Sequence, residues 1–258
     1  MALRIGCDMD GVLANMESEL LRQATILFGA DATRPRPEPP TDSTAVASSD
    51  KGSDPADPAG APDSEDAATT DELPMRSVEL TSRQRHGLWR HVHGIDGFWE
   101  TLEETETGIV ARLWELSLAR HWEIIFLTKR PATAGATAQL QTQRWLAARG
   151  FPFPSVYVVN GSRGRIAASL ALDVVVDDTP QNCLDVATDS RARVIGVFTD
   201  VAQPVPPVLS RLGIQVARST SESLDLLTAW DDGLPERPGP LRRALQFLGI
   251  APGDSALL

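Results

Sequence analysis

The stretch that decides the fold is Asp8-Met9-Asp10-Gly11-Val12-Leu13-Ala14, which directly follows the apolar run Leu3-Arg4-Ile5-Gly6-Cys7. A short apolar run of this kind predicts a buried strand, and the two aspartates come where that strand ends. Side chains two positions apart in an extended segment point the same way, so both carboxylates can face one ligand. The stretch therefore predicts a polar site at the end of the first strand.

Beyond this stretch, short runs rich in Val and Ile alternate with segments of helical periodicity. Further strands are predicted at 123–127, 156–159, 173–176, 194–198 and 214–216. Helices are predicted at 17–28, 82–92, 107–119, 133–149, 163–170, 180–188, 204–212, 221–230 and 241–247. This alternation is typical of a parallel sheet with helices on both faces. We predict an α/β, Rossmann-like fold with a small helical cap inserted after the first strand.

An acidic segment at residues 31–74 interrupts the pattern. It holds eleven acidic and three basic residues, a net charge of −8, so most of the chain-wide charge of −11 lies there. It also contains eight of the 19 prolines and no aromatic residue. Such a segment buries too little apolar surface to offset its ordering entropy, so we predict a disordered insertion. The predicted organisation is a core domain at 1–14 and 104–258, with the interrupted cap at 15–103.

Charge and composition exclude several classes of protein. An acidic chain is unsuited to binding a nucleic-acid polymer or an anionic membrane. Two cysteines, Cys7 and Cys183, are too few for a disulfide scaffold. The N-terminus lacks a signal region, and no apolar run approaches the ~20 residues that span a bilayer. We therefore predict a cytoplasmic protein, and the oligomeric state stays open.

Polar residues also follow two other predicted strands. Thr128 ends one of them, and Asp177 and Asp178 end another. Ligands of open parallel sheets bind beyond the carboxyl ends of the strands, so these residues should meet Asp8 and Asp10 there. Carboxylates at one edge repel each other, and a divalent cation offsets that repulsion. An all-oxygen set of ligands predicts Mg²⁺ as the cofactor.

These motifs, in this order, resemble those of the haloacid dehalogenase-like phosphatases. Asp8-Met9-Asp10-Gly11-Val12 is similar to the family's first motif, Thr128 to its second, and Val176-Asp177-Asp178 to its fourth. Longer runs resemble the deoxyribonucleotidase branch, namely Asp-Met-Asp-Gly-Val-Leu-Ala at 8–14, Gly-Phe-Trp-Glu-Thr-Leu at 97–102, Phe-Leu-Thr-Lys-Arg-Pro at 126–131 and Val-Asp-Asp-Thr-Pro-Gln-Asn at 176–182. The resemblance implies a Mg²⁺-dependent phosphomonoesterase acting on a small phosphorylated metabolite, with a nucleoside monophosphate as one candidate.

The resemblance also implies a role for each motif residue. Asp8 would attack phosphorus and form an aspartyl-phosphate, and Asp10 would protonate the leaving oxygen and then activate water. Asp8, the main-chain carbonyl of Asp10 and Asp178 would bind Mg²⁺, with Asp177 as an outer or water-mediated partner. Thr128 would donate a hydrogen bond to a phosphoryl oxygen.

The third motif departs from the family pattern, in which a lysine neutralises the nucleophile and the phosphate. The matching stretch is Gly161-Ser162-Arg163-Gly164-Arg165. Arg163 keeps the positive charge but brings a bulkier, bidentate group. Three interpretations stay open: Arg163 binds phosphate, Arg165 does, or the role has been lost.

Four further residues are weaker candidates for substrate contacts. Phe98 and Trp99 fall where the cap lies, and an aromatic ring there could stack on a substrate base, with a core position as the alternative. Lys129 and Arg130 follow Thr128 and could bind phosphate, with a solvated loop charge as the alternative.

Three kinds of function are compatible with these residues. They are a phosphomonoesterase, another reaction on the same fold such as a phosphomutase, and a catalytically silent binding module with the acidic segment as its docking arm. A dehalogenase usually lacks the second aspartate of the first motif, so Asp10 argues against it. Only the arginine at the lysine position supports the silent module, and the sequence therefore favours the phosphomonoesterase.

Overall fold

One parallel sheet forms the centre of the fold in the computed structural model, which describes residues 3–30, 80–200 and 205–233. Within these residues its strands are β1 (Arg4–Asp8), β2 (Glu123–Thr128), β3 (Ser155–Val158), β4 (Val174–Asp177), β5 (Arg193–Val197) and β6 (Gln215–Ala217). They are ordered β3-β2-β1-β4-β5-β6, and every neighbouring pair is parallel. The α/β, Rossmann-like class predicted from the sequence is confirmed.

Helices alternate with these strands. They are α1 (Met16–Phe28), α2 (Ser82–His93), α3 (Ile109–Arg120), α4 (Ala138–Ala148), α5 (Arg163–Ser169), α6 (Pro180–Asp189), α7 (Pro207–Arg211) and α8 (Thr220–Asp232). Thr81 and Gln84 form a reciprocal capping box at the start of α2, which satisfies amides that a helix start leaves unpaired. Within the described parts of the chain, none of the helices has the length and apolar character needed to cross a membrane.

The strand order reverses at β1, which lies between β2 and β4. Cys7 of β1 is in register with Phe126 on one side and with Val176 on the other. The sheet extends from β1 through β2 and β3 in one direction, and through β4, β5 and β6 in the other. Ligands of open α/β sheets bind beyond the carboxyl ends of the strands at such a reversal. A ligand site is therefore expected beyond the ends of β1 and β4.

Aliphatic side chains bury the two central strands. Ile5 of β1 is fully buried, and Val174, Val175 and Val176 of β4 are each no more than 2% exposed. Burying a side chain of this size contributes about 1.5–3 kcal/mol relative to leaving it in water. The continuous apolar runs are what a strand covered on both faces requires, and they hold the strand ends in place.

The chain divides into two units. The first comprises Met1–Ala14, Glu104–Arg130 and Thr142–Leu258 and contains the sheet, and the second comprises Asn15–Glu103 and Pro131–Gln141. Residues 131–141, predicted as part of the core domain, belong to the second unit. The Trp99 amide donates to Gln141 Oε1 at 3.0 Å within that unit. The predicted disordered insertion at 31–74 and the predicted helix at 241–247 lie outside the described residues.

The predicted helix at 133–149 is wrong at its start, because α4 begins only at Ala138. Gly135 has a φ of +86°, in the left-handed region that a right-handed helix does not use. The Gln141 side chain donates to the Ala136 carbonyl at 2.5 Å, so a side chain satisfies this backbone group. The residues before α4 form a loop that the helical periodicity did not indicate.

Candidate active site

Three carboxylates from the ends of two neighbouring strands meet beyond the sheet. Asp8 ends β1 and Asp177 ends β4, with Asp178 next in the chain. One oxygen of each carboxylate lies within 4.8 Å of the others. Asp8 is 6% exposed and Asp177 is 1% exposed, so the cluster is largely removed from water. The spacing and the oxygen donors suit a bound metal ion.

Burial and repulsion make this cluster hard to keep ionised. Burial is the main cause that raises the pKa of Asp8 well above its usual range, and Asp177 adds to it, whereas Arg163 opposes it. Burial also raises the pKa of Asp177, against the opposing effects of Arg163 and of hydrogen bonds from Thr179 and Asn182. A divalent cation among the three carboxylates would relieve their repulsion. The residues present therefore fit Mg²⁺, which prefers oxygen ligands.

The start of α6 orients Asp177. The Thr179 amide donates to Asp177 Oδ1 at 2.9 Å, and Asn182 Nδ2 lies 3.1 Å from both carboxylate oxygens. Pro180 opens the helix with a preset φ and with no amide to satisfy. Asn182 is not among the site residues predicted from the sequence. Its place in the first helical turn after the Asp177-Asp178 pair is the signal that could have found it.

Gly11 allows the loop after β1 to pass against Asp178. Its φ is +84°, and a Cβ at this position would lie 2.2 Å from Asp178 Oδ2. Both the backbone conformation and the space therefore require glycine. The neighbouring Val12 carbonyl accepts hydrogen bonds from Thr105 Oγ1 at 2.6 Å and from Thr220 Oγ1 at 2.5 Å, which hold the loop in place.

Arg163 is the cation that reaches the carboxylate cluster. It opens α5, and its side chain is 6% exposed. Nη2 donates to Asp8 Oδ1 at 2.5 Å, and Nε lies 3.7 Å from Asp177 Oδ2. Nη1 is buried and has no hydrogen-bond partner among the described residues. An unpaired buried donor costs about 1–3 kcal/mol, so this nitrogen suits an anionic oxygen. Arg165, the other candidate of the third motif, is exposed.

Asp10 is paired with Arg130 at the end of β2. Arg130 Nη2 lies 2.7 Å from Asp10 Oδ1, and Nε lies 3.1 and 3.0 Å from the two carboxylate oxygens. Thr128 Oγ1 donates to Asp10 Oδ2 at 3.1 Å. The structure thus brings Asp10 and Thr128 together. It also pairs Arg130, a weak candidate for phosphate binding, with the Asp10 carboxylate.

The three other candidates are Phe98, Trp99 and Lys129. Phe98 and Trp99 form a 3-10 turn in the second unit, and both are fully buried. Their rings pack edge to face with centroids 4.9 Å apart, and Trp99 Nε1 donates to the Pro131 carbonyl at 3.0 Å. Both rings are buried in this structure, which is the core position given as the alternative to stacking on a substrate base. Lys129 is exposed.

Comparison with known proteins gives likeness in fold. No protein-family model matches the chain, and no curated protein matches it. A protein from Thermotoga maritima, provisionally assigned as a beta-phosphoglucomutase, is 15% identical with a TM-score of 0.50, over 88% of this chain and 99% of that chain. A HAD family hydrolase from Deinococcus radiodurans R1, solved with bound phosphate and sodium, is 13% identical with a TM-score of 0.48, over 90% of this chain and 96% of that chain. At such identity the first likeness shows a shared fold alone.

Proposed function

We propose that this chain is a Mg²⁺-dependent phosphomonoesterase of the haloacid dehalogenase-like type, with Asp8 as its nucleophile. The observation that carries the proposal is the meeting of three carboxylates, with oxygens within 4.8 Å, beside the buried Arg163 guanidinium. By themselves these carboxylates repel each other in a site of low exposure. A divalent cation together with the guanidinium would balance the three carboxylate charges, and a phosphate dianion could then bind without facing uncompensated negative charge.

The ends of β1 and β4 would hold the metal ion. Asp8, Asp178 and the main-chain carbonyl of Asp10 would be its ligands, and Asp177 would contact it directly or through water. Bound Mg²⁺ would offset the repulsion between the Asp8 carboxylate and a phosphate dianion. Asn182 would hold Asp177 through the bonds of 3.1 Å already made to its two oxygens.

The first half of the reaction transfers the phosphoryl group to the protein. An oxygen of Asp8 forms a bond to phosphorus while the bond between phosphorus and the ester oxygen breaks. The leaving oxygen takes a proton from the Asp10 carboxyl, which gives a free alcohol and an aspartyl-phosphate.

The second half of the reaction restores Asp8. A water gives a proton to the Asp10 carboxylate as its oxygen attacks phosphorus. The bond between phosphorus and Asp8 breaks, and inorganic phosphate leaves. Asp10 then carries the proton that the next cycle requires, so one carboxylate serves both halves.

Arg163 and Thr128 would bind the phosphoryl oxygens. Arg163 Nη1 is a buried donor without a partner among the described residues, on the guanidinium that contacts the nucleophile. Thr128 has one hydroxyl proton, which it donates to Asp10 in this structure. This hydroxyl would turn to a phosphoryl oxygen when phosphate binds.

The finer proposal is that the substrate is a nucleoside monophosphate. Its support is the resemblance of local runs to the deoxyribonucleotidase branch. The run at 176–182 contains Asp177 and Asp178, which are two of the three carboxylates of the cluster, and Asn182, which orients Asp177. A nucleotide panel is therefore the first set of substrates to test.

Release of inorganic phosphate from nucleoside monophosphates, sugar phosphates and a nitrophenyl ester tests the proposal. We expect release with Mg²⁺, none with EDTA, and none from Asp8→Asn. Asp225→Asn is the matched control, because Asp225 forms an exposed ion pair with Arg112. Conversion of a sugar phosphate to its isomer without phosphate release would identify a phosphomutase instead. No turnover of any compound would leave the silent binding module as the better description.

A further inference from the structure

Arg130 is fully buried and bonds to the side chains of Asp10 and Thr142. Its side chain is 0% exposed, and that of Asp10 is 13% exposed. Nε and Nη2 both contact Asp10, at distances from 2.7 to 3.1 Å. Nη1 donates to Thr142 Oγ1 at 2.8 Å. The guanidinium thus connects the Asp10 carboxylate to Thr142, which lies in α4.

This pairing restricts how the Asp10 carboxylate can turn. Burying a guanidinium is unfavourable unless its charge is paired and its donors are satisfied, so Arg130 holds its partners strongly. The two parallel contacts of a guanidinium fork set the plane of the carboxylate as well as its position. The last torsion of an unrestrained aspartate is broad by comparison. Asp10 is therefore presented in one orientation.

We infer that Arg130 is a positioning residue that acts through Asp10, and that Thr142 holds Arg130 in turn. The inference rests on the proposed function, in which Asp10 moves the proton at the leaving oxygen. A carboxylate offers about four lone-pair sites, so the donors of Arg130 and Thr128 leave capacity for that oxygen or for water. Misplacing a reacting group by about 1 Å can cost on the order of 10²-fold in rate.

A direct contact between Arg130 and the substrate phosphate is the alternative. Nε and Nη2 bond to Asp10, Nη1 bonds to Thr142, and the Arg130 side chain is 0% exposed, so a phosphate oxygen could reach the guanidinium only if Arg130 or its partners moved. Arg163 differs in this respect, because its Nη1 is unpaired among the described residues. The two arginines therefore have separate tasks: Arg163 serves the nucleophile and the phosphate, and Arg130 serves the carboxylate that transfers protons.

The dependence of rate on the leaving group tests this role. The ratio kcat/KM covers the steps up to release of the leaving group. A nitrophenolate leaves with little proton donation, whereas an alkoxide needs a proton. We expect Arg130→Gln to lower kcat/KM for an alkyl phosphate at least about tenfold more than for the nitrophenyl ester. Thr142→Val should lower the ratio of kcat/KM for the alkyl phosphate to that for the nitrophenyl ester by a smaller factor. Thr142→Ser, which keeps the hydroxyl, should leave that ratio close to the wild-type value.

A double substitution shows whether Arg130 acts through Asp10. In Asp10→Asn protein, adding Arg130→Gln should not change the ratio of kcat/KM for the two esters any further, because the carboxyl that Arg130 positions is already gone. Arg112→Gln and Thr228→Val are the matched controls. Arg112 forms an exposed ion pair, and the Thr228 hydroxyl donates to the Leu224 carbonyl within α8. Neither control should alter the ratio of kcat/KM for the two esters.

The outcomes separate this inference from the function on which it rests. An equal loss for both esters in Arg130→Gln would overturn the inference alone, and should that variant not fold, an equal loss in Thr142→Val would do so. Weaker inhibition by inorganic phosphate in Arg130→Gln, but not in Asp10→Asn, would make Arg130 a phosphate ligand and would also overturn it. A wild-type chain that hydrolyses neither ester with Mg²⁺ would overturn the proposed function, and this inference with it.

Discussion

Arg163 Nη2 donates to Asp8 Oδ1 at 2.5 Å, although the two residues are 155 positions apart in the sequence. The contact offsets the charge of the proposed nucleophile, and the same guanidinium keeps Nη1 buried without a partner among the described residues. One side chain can therefore contact the carboxylate and still offer a donor to phosphate. A lysine would supply the charge at a single point and could not make both contacts from a fixed fork.

Substitutions of Arg163 separate the effect of its charge from that of its fork. Arg163→Gln should lower kcat/KM for phosphate esters by about 10²-fold or more, as expected for loss of a buried donor to a phosphoryl group that gains charge. Arg163→Lys should retain more activity, because it keeps the charge. Steady-state kinetics and inhibition by inorganic phosphate measure how much of the loss comes from the charge of Arg163 and how much from its fork.

Arg165 supplies the control for these variants, since it is exposed and lies two positions further along α5. Arg165→Gln should behave as wild type. Full activity in Arg163→Gln together with a loss in Arg165→Gln would contradict the placement of the third motif. If neither variant loses activity, the cation for the phosphate comes from elsewhere, and the exposed Lys129 is the first residue to test.

Asp8→Asn should abolish turnover and make the metal-free protein more stable. The substitution removes the attacking oxygen and keeps the volume. It also removes a carboxylate whose ionised form is disfavoured first by burial and then by repulsion from Asp177, the two causes that raise the pKa of Asp8 most. Thermal unfolding in EDTA measures the second effect, and about 1 kcal/mol corresponds to roughly 2–4 °C for a chain of this size. Near wild-type phosphatase activity in Asp8→Asn would refute the proposed mechanism.

The stability difference between Asp8→Asn and wild type should depend on pH in EDTA. A carboxyl whose pKa is raised by folding binds its proton more tightly in the folded state. The free energy of unfolding therefore falls as pH rises above 3.8, the ordinary pKa of this carboxyl. The advantage of Asp8→Asn should therefore be small at pH below about 4 and grow toward neutral pH. Mg²⁺ at neutral pH should stabilise wild type, because it binds the ionised carboxylates of the folded state.

Asn182→Ala should weaken Mg²⁺ binding without removing a metal ligand. Asn182 Nδ2 lies 3.1 Å from both oxygens of Asp177, and partners of this kind typically contribute about 10–100-fold to metal affinity. The Mg²⁺ concentration for half-maximal activity should rise, and kcat at saturating Mg²⁺ should change little. Gln181→Ala is the control, because the neighbouring Gln181 pairs with Asp185 on an exposed part of α6. An unchanged Mg²⁺ requirement in Asn182→Ala would show that Asp177 needs no such support.

The ends of the strands could be predicted from the sequence because the signal there is local. A polar residue after a short apolar run marks a strand end, and Asp8, Thr128 and Asp177 all follow such runs. Parallel strands then bring these ends to one edge. The predicted start of α4 is wrong because Gly135 adopts a left-handed conformation, which a single glycine in a helical pattern does not reveal.

The pairings between charged groups could not be predicted, because they depend on contacts between distant parts of the chain. Lys129 and Arg130 are adjacent and similar, yet one is exposed and the other is buried on Asp10, 120 positions away. Arg163 and Arg165 were likewise alternatives. Gly164 between them packs so closely that a Cβ would lie 2.1 Å from the Asp185 carbonyl oxygen, so α5 approaches α6 at this position. That approach accompanies the inward placement of Arg163, and no local pattern encodes it.

Gly11→Ala should lower both stability and Mg²⁺ affinity, whereas Gly213→Ala should lower stability alone. Both glycines have positive φ, +84° and +74°, so alanine at either position adopts a strained backbone that costs roughly 1–2 kcal/mol. They differ in the space around them. A Cβ at Gly213 meets nothing within 4 Å, whereas a Cβ at Gly11 would lie 2.2 Å from Asp178 Oδ2 and must displace that carboxylate. Thermal unfolding in EDTA measures the shared backbone effect, and activity as a function of Mg²⁺ concentration measures the displacement of Asp178. Equal Mg²⁺ requirements in the two variants would show that Asp178 can move without loss, and would remove it from the proposed metal ligands.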